Sequence, residues 1–182
     1  MALDINEIRS QLTFGGARNT LFQVTFQNPT DSAGDLKVPF MVKTAQIPAS
    51  DLGIIEVPYF GRKIKLAGDR TFGEWSVTVI NDEDFLIRNA LEKWSNSINS
   101  LRGNLRGFGS SAPSQYKVNA EVVQYSKTGI PIRQYTFNGI FPQTISAIDL
   151  DWNATDQIEE FTVTFQYDWW EVTGGVTGNP GS

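Results

Sequence analysis

A strand followed at once by a long amphipathic helix, over residues 75–101, constrains the fold more than any other segment of the sequence. In Trp75–Ile80 apolar residues alternate with polar ones, and Ser76 and Thr78 are the polar positions. This period of two is what a half-buried strand requires. The residues that follow place apolar side chains at alternating spacings of four and three, which gives one apolar stripe on a helix. The stripe consists of Ile87, Leu91, Trp94, Ile98 and Leu101.

The ends of this helix are also marked in the sequence. Asn81 or Asp82 can cap its N-terminus, and the acids at 82–84 suit the positive end of the helix dipole. Arg102 and Gly103 supply a cation and a conformationally permissive residue at the C-terminus. Because the helix has one apolar side, we expect it to cover the sheet to which the preceding strand belongs.

The rest of the chain predicts short strands joined by turns, without the alternation of strands and helices that builds a parallel sheet. About seven strands are expected in total. The others are predicted at Leu21–Phe26, Val38–Ile47, Phe60–Leu66, Tyr116–Tyr125, Ile130–Phe141 and Ile158–Val172. The predicted fold class is α+β and mainly β, an antiparallel barrel or sandwich with one flanking helix. We expect one domain over residues 1–172 and a flexible tail over 173–182, which is rich in Gly, Thr, Asn and Pro.

The first helical pattern, at residues 4–12, allows two interpretations. Asp4 can cap it, and Ile5, Ile8 and Leu12 lie on one face. The segment is either a short helix that docks on its own domain or an arm that packs on a neighbouring subunit.

Composition excludes several classes of function. The chain of 182 residues contains no cysteine and no histidine. Disulfides, thiolate or imidazole metal sites, and Ser-His-Asp or Cys-His catalytic groups are therefore impossible. The formal net charge of −5 is opposite in sign to that of a typical DNA-binding domain. The sequence shows no membrane-spanning run and no signal peptide, so we expect a soluble protein made in the cytoplasm, with no cofactor.

One acidic segment resembles a calcium-binding loop. Asp149, Asp151, Asn153 and Glu160 occupy ligand positions one, three, five and twelve of an EF-hand. However, Ala154 stands where the loop needs glycine, and the flanks do not predict helices. The favoured interpretation is a turn that leads into the last strand.

The aromatic and acidic residues near the C-terminus also leave alternatives. Trp169 and Trp170 could stack on sugar rings in a carbohydrate-binding sandwich, or they could fill the core and a subunit interface. Glu159–Glu160 with Asp168 and Glu171 could be imagined as a glycosidase pair, but sequence does not fix the carboxylate separation on which that chemistry depends.

The segment between Pro48 and Pro58 is apolar although prolines bracket it and Gly53 interrupts it. It is either a loop folded back on the core or a projecting hairpin that buries its apolar residues against another chain. A cluster of cations follows, which either pairs with carboxylates of another subunit, the favoured interpretation, or forms a solvated face without a role. The cluster consists of Arg62, Lys63, Lys65 and Arg70.

Several of these segments together carry a resemblance to a known family. They are Gly61–Ile64, Ala67–Phe72, Trp75–Glu83, Leu150–Asn153, Ile158, Phe161–Thr164 and Asp168–Glu171. In these residues the chain resembles the tail tube proteins of contractile-tailed bacteriophages, over roughly residues 20–172.

The resemblance implies a structural virion protein, similar to the tube protein of type VI secretion, and not an enzyme. It implies six-fold rings stacked into a hollow tube, which is assembled in the host cytoplasm and passes DNA during infection. The implied partners are further copies of the chain and the sheath, tape-measure, baseplate and tail terminator proteins. A baseplate or tail-end paralogue of the tube protein remains an alternative.

The resemblance and the residue pattern together predict three surfaces. The loop expected to contact the next ring comprises Pro48, Asp51, Leu52, Ile54, Ile55, Glu56 and Pro58. The expected subunit interface comprises Arg62, Lys63, Lys65, Asp69, Arg70, Phe72, Trp169 and Trp170. The residues expected to line the channel, on a polar and cation-poor side of the strands, are Thr162, Thr164, Gln166, Asn119 and Glu121.

Overall fold

Nine β-strands and four α-helices make up residues 5–178, the part of the chain that this computed structural model describes. The strands are β1 Phe22–Phe26, β2 Val42–Ala45, β3 Asp51–Tyr59, β4 Arg62–Thr71, β5 Trp75–Ile80, β6 Val118–Tyr125, β7 Pro131–Ile145, β8 Glu160–Gln166 and β9 Trp169–Gly174. The helices are α1 Ile5–Gln11, α2 Val38–Met41, α3 Leu86–Ile98 and α4 Pro113–Tyr116, and short 3-10 turns lie at Thr13–Gly15, Ser32–Gly34 and Phe108–Ser110. No helix within residues 5–178 is long and apolar enough to cross a membrane.

The long strand β7 belongs to two antiparallel layers. Its first part pairs with β6 and β9, and β6 pairs with β1, which forms sheet A. Its last part pairs with β8, which pairs with β5 and then β2, which forms sheet B. Gly139 lies in the bulge just before the two parts meet, with a φ of +70°, and a Cβ there would contact the end of the Asp168 side chain. The positive φ therefore favours glycine at this position. The mainly β, antiparallel fold with one long helix confirms the predicted class.

The inner faces of sheets A and B meet in one core, and α3 packs against its side. Sheet A contributes Val24, Phe26, Ala120, Val122 and Phe137, and sheet B contributes Trp75, Val77, Val79, Phe161, Val163 and Phe165. Trp94 of α3 is fully buried, and its ring lies 6.5 Å from Phe26 and 6.3 Å from Phe165 between centroids. Its indole N–H donates to the Tyr116 carbonyl at 2.9 Å. The predicted partnership of β5 with α3 in the core is confirmed.

The helix α3 is shorter at both ends than predicted. Asn81 is held at the edge of sheet B, where its side chain donates to Glu159 at 2.9 Å, so it cannot cap the helix. The cap residue is Phe85, and the Asp84 carboxylate accepts from the Leu86 amide at 3.1 Å. At the other end the chain turns extended at Asn99. The apolar stripe therefore stops at Ile98, and Leu101 is 92% exposed.

Two predicted strands are interrupted. Val38–Ile47 begins as the helix α2, whose first turn contains Pro39, and only β2 pairs with the sheet. Proline suits a first helical turn because the amide it lacks has no partner there. Ile158–Val172 divides into β8 and β9, because the chain follows the bend of β7 and the Asp168 amide donates to the Asn138 carbonyl. Trp169 consequently leaves the buried face and is 44% exposed.

The C-terminal boundary of the fold lies beyond residue 172. The strand β9 continues to Gly174, and the amides of Val176 and Thr177 donate to the carbonyls of Pro131 and Ile132. The segment predicted as a tail thus begins with residues that are hydrogen-bonded to β7. Residues 179–182 and the predicted cap Asp4 lie outside the described residues.

Candidate assembly surfaces

The strands β3 and β4 form a two-stranded hairpin, residues 51–71, that is separate from sheets A and B. Among the described strands they pair only with each other. Phe60 and Gly61 form the turn with φ of +43° and +78°, the pair of positive values typical of a tight hairpin. The predicted strand Phe60–Leu66 has the wrong bounds, because Phe60 lies in the turn and β4 runs from Arg62 to Thr71. At ten residues β4 is about 33 Å long.

The two faces of the hairpin differ in chemistry. Ile55 lies opposite Leu66, and Val57 lies opposite Ile64, so these four side chains share one apolar face. Their exposed fractions are 52%, 51%, 42% and 52%. The opposite face carries the cross-strand pair of Glu56 with Lys65, and the Lys63 ammonium lies 2.5 Å from the Glu56 carboxylate. Since both charges are exposed, this ion pair contributes little stability.

The segment that leads into the hairpin, residues 46–50, is fixed by two tryptophan side chains. The Trp75 indole N–H donates to the Gln46 carbonyl at 3.0 Å. The Trp170 indole N–H donates to the Ala49 carbonyl at 3.1 Å. Burial and the nearby Asp51 charge raise the pKa of Tyr167, which lies beside the same segment. The hairpin is therefore anchored at its base while its strands extend into solvent.

A bulge lies near that base. The pairing register shifts between Leu52 and Ile54, where Gly53 approaches Asp69 of the opposite strand. A Cβ on Gly53 would lie 3.0 Å from the Asp69 carbonyl oxygen. The bulge bends the strand, which re-aims the distal part of the hairpin relative to sheet B.

Six of the eight predicted interface residues fall into two groups. The cations Arg62, Lys63, Lys65 and Arg70 lie on the exposed strand β4, and the Arg70 guanidinium donates to the Ser50 hydroxyl at 2.5 Å. Phe72 and Trp170 instead pack partly buried against the core, where their rings each lie 5.9 Å from a tyrosine. These two aromatic residues support the fold as well as any contact that they make with another subunit.

The outer face of sheet B carries a row of hydroxyl groups. The Thr78 and Thr162 oxygens lie 3.3 Å apart, and the Ser76 and Thr164 oxygens lie 3.5 Å apart. These side chains are half-buried, while the residues between them along β5 and β8 are in the core. Gln166 continues the row on β8. Three of the residues predicted to line the channel thus share one uncharged polar surface.

The other two residues predicted for the channel lie elsewhere. Asn119 and Glu121 are on β6, where the intervening Ala120 and the following Val122 are buried. They therefore occupy the outer face of sheet A. Because the inner faces of the two sheets meet in the core, their outer faces point away from each other, and the five predicted residues do not form one surface.

The loop between β7 and β8 exposes more apolar surface than its sequence suggested. Leu150, Trp152 and Ile158 are 80%, 101% and 73% exposed and border a groove of about 780 Å³. The Asp151 carboxylate accepts from the Asn153 amide at 2.9 Å, as in the predicted turn. Among residues 5–178 no three acidic side chains are grouped closely enough to hold a metal ion. The run of acids without cations is visible in the sequence of this loop. The calcium hypothesis attributed those acids to metal binding and so overlooked an exposed surface.

Several charged groups with shifted pKa values form ion pairs between residues 31–37 and α3 or the segment that precedes it. Hydrogen bonds to Asp82 and Asp84 raise the pKa of Lys37, and the pKa of Asp84 is lowered by the same contact. Hydrogen bonding from Lys93 likewise lowers the pKa of Asp31. Burial raises the pKa of Asp35, whose carboxylate accepts from a backbone amide. Ion pairs and hydrogen bonds within the fold therefore account for the pKa shifts of Lys37, Asp84 and Asp31, and burial accounts for that of Asp35.

Comparison with known proteins agrees with this architecture. The tail tube protein gp19 of Enterobacteria phage T4 is 36% identical over 160 residues, which are 85% of this chain and 91% of that protein. The tube-terminating cap of the anti-feeding prophage superposes with a TM-score of 0.66 at 16% identity, covering 96% of this chain and 100% of that chain. A chain of the PVC sheath-tube complex, from an extracellular contractile injection system, superposes with a TM-score of 0.59 at 13% identity, covering 95% and 99%. Both superpositions show a shared fold.

The family assignment comes from the sequence. Residues 9–173 match the model of the phage tail tube protein family, which spans nearly all of sheets A and B, the hairpin and α3. The resemblance seen in the sequence is thereby confirmed. This chain belongs to the phage tail tube protein family, and it is a structural component of the virion tail and not an enzyme.

Proposed function

We propose that this chain assembles into hexameric rings that stack into the inner tube of a contractile tail, the conduit for DNA ejection into the host. Its partners in the virion are further copies of itself, the sheath, the tape-measure protein that fills the tube before ejection, and the baseplate and tail terminator proteins. Assembly takes place in the host cytoplasm. The tail tube proteins at 36% identity support the main tube subunit over a baseplate or tail-end paralogue.

The observation that carries the proposal is the solvated hairpin. A two-stranded ribbon is marginal in water unless it packs on something else. This one exposes the apolar face formed by Ile55, Val57, Ile64 and Leu66, and neither of its edges pairs with another strand of the described chain. Such edges and patches invite association. A neighbouring copy in a stacked ring would bury them.

The hydroxyl row on the outer face of sheet B is the proposed channel surface. DNA passes freely over a wall that does not neutralise its phosphates, since each neutralised phosphate adds affinity. Thr162, Thr164 and Gln166 meet that condition without carrying charge. Asn119 and Glu121, on the outer face of sheet A, would then face away from the channel.

Because the chain contains no cysteine, single engineered thiols test the channel surface without background. Thr164→Cys should react with a bulky polymer maleimide in free subunits and be protected in assembled tubes. Glu121→Cys is the matched control on the other sheet and should stay more reactive after assembly. Equal protection of both thiols, or protection of Glu121→Cys alone, would contradict the proposed channel surface.

Replacing residues 52–70 by a short Gly-Ser link tests the assembly function itself. The variant should unfold as cooperatively as the parent, because the hairpin lies outside sheets A and B. Negative-stain images should show hollow tubes for the parent and none for the variant. Tubes formed by the variant, or a parent that stays monomeric at every concentration and in the presence of tail-initiating baseplates, would refute the proposal.

A further inference from the structure

Residues 147–160, the loop between β7 and β8 together with the first residue of β8, contain all of the chain's excess negative charge. They carry five acids and no Lys or Arg, and in the remainder of the chain acids and cations are equal in number, fifteen each. The acids are Asp149, Asp151, Asp156, Glu159 and Glu160. We call this segment the acidic loop. Of these carboxylates, Glu160 forms an ion pair, with the Lys43 ammonium at 2.5 Å.

The acidic loop is also the site of exposed apolar side chains. Trp152 is fully exposed, and Leu150 and Ile158 are more than 70% exposed, beside the groove of about 780 Å³. An exposed patch of this kind, rimmed by charged groups, marks an interaction surface. The chemistry that fits it is an apolar, aromatic element that carries positive charge.

The distal half of the hairpin has that chemistry. Between Ile54 and Ala67 it carries three cations, Arg62, Lys63 and Lys65, against the single acid Glu56. Its turn presents Tyr59 at 63% exposure and Phe60 at 92%. The two surfaces of one chain are therefore complementary in charge, and both are apolar. Such complementarity favours the specific encounter and fixes the register of two partners.

The two surfaces lie at opposite ends of sheet B. Trp75 pairs with Phe165 at one end of β5, where the base of the hairpin is anchored. Ile80 pairs with Glu160 at the other end, where the acidic loop enters β8. The six residues of β5 separate the two ends by about 20 Å. Copies stacked in the same direction would bring the hairpin of one towards the acidic loop of the next, a head-to-tail contact that repeats along a filament.

We propose that the acidic loop of one copy is the receptor for the cationic hairpin of the next copy along the tube. This inference rests on the proposed stacking of rings and identifies the surface that each hairpin meets. Leu150, Trp152 and Ile158 supply the apolar floor for the hairpin turn, and the surrounding carboxylates face Lys63 and Lys65.

Charge reversal on each surface tests the contact. Lys63→Glu with Lys65→Glu should raise the free subunit concentration in equilibrium with tubes at least tenfold, and so should Asp149→Lys with Asp151→Lys. All four changes in one chain should bring the concentration back to within about threefold of the parent. Lys127→Glu, an exposed reversal in the β6–β7 turn, is the control and should leave it unchanged. The inference is overturned if neither double reversal changes the free subunit concentration. It is also overturned if the double reversals weaken assembly and the quadruple variant does not restore it.

A second measurement does not depend on assembly strength. Lys63→Cys and Asp151→Cys together should give a ladder of disulfide-linked copies when tubes are oxidised, whereas either change alone joins two copies at most. Absence of a ladder overturns the inference. If the parent forms tubes but the charge reversals have no effect or the cross-linked ladder is absent, only this contact is overturned. If the parent forms no tubes, the proposed function is overturned.

Discussion

Replacing Ile64 by Thr tests whether the apolar face of the hairpin becomes buried when subunits assemble. Threonine keeps the β-branched shape that suits a strand, so the hairpin itself should persist. The side chain is 52% exposed in the subunit, and its cross-strand partner Val57 is 42% exposed. The change should therefore weaken assembly and leave folding nearly unaltered.

The size of the effect follows from the area that remains to be buried. Ile64→Thr removes or replaces two carbon groups, each worth about 0.8 kcal/mol when fully buried. With about half of the side chain still in solvent, the lost burial is about 0.8 kcal/mol per contact, and desolvation of the new hydroxyl brings the total to about 1–1.5 kcal/mol. Because 1.4 kcal/mol corresponds to a factor of ten, the free subunit concentration should rise about five- to tenfold.

Sedimentation of tubes at several total concentrations measures this quantity directly, as the protein left in the supernatant. Ile130→Thr is the matched control, because Ile130 is 53% exposed and lies in the β6–β7 turn, away from the hairpin. Both variants should unfold within about 0.5 kcal/mol of the parent, as surface substitutions usually do. An unchanged supernatant for Ile64→Thr, or an equal rise for both variants, would refute the burial of this face.

Three further outcomes are expected. Trp94→Ala should lower the free energy of unfolding by about 3–5 kcal/mol in urea titrations, because it empties a fully buried site in the core; a loss below 1 kcal/mol would contradict that role. Lys37→Met should be less stable than the parent at neutral pH, and the difference in free energy of unfolding should be smaller at pH 3. The pKa of Asp84 is lowered in the folded protein, so its ion pair with Lys37 stabilises the fold above the ordinary pKa of 3.8. This stabilisation is lost as the pH falls through the pKa of Asp84 in the folded state. A difference that does not shrink on acidification would contradict this linkage. Trp170→Phe should speed tryptic cleavage within the hairpin and cost about 1 kcal/mol, because the Ala49 carbonyl loses its indole donor; unchanged cleavage would show that the anchor is not needed.

Local patterns predicted the parts of the fold whose burial is periodic. The strand at Trp75–Ile80 and the stripe on α3 were predictable because one side of each element faces the core and the other faces polar surroundings. The ends of α3 were not, because Asn81 is bound by Glu159, a residue 78 positions away. The division of β8 from β9 likewise depends on the bend of β7 near Gly139, which no pattern within residues 158–172 reveals.

The assembly surfaces were predictable in composition but not in arrangement. The apolar run after Pro48 and the cations near Lys63 indicated contact with another chain, yet residues 67–71 lack strand-forming character and join β4 only because β3 pairs with them. Thr162 and Glu121 both looked like polar residues on two-faced strands. Only the sheet order separates them onto opposite outer faces.

The length of β7, fifteen residues, affects how a subunit unfolds. Since the same backbone runs through both layers and one continuous set of side chains fills the space between them, neither layer can come apart while the other survives. Damage within either layer should therefore melt both layers in a single all-or-none step, leaving no half-open form in which the strand edges of one layer are free to cross-pair and aggregate.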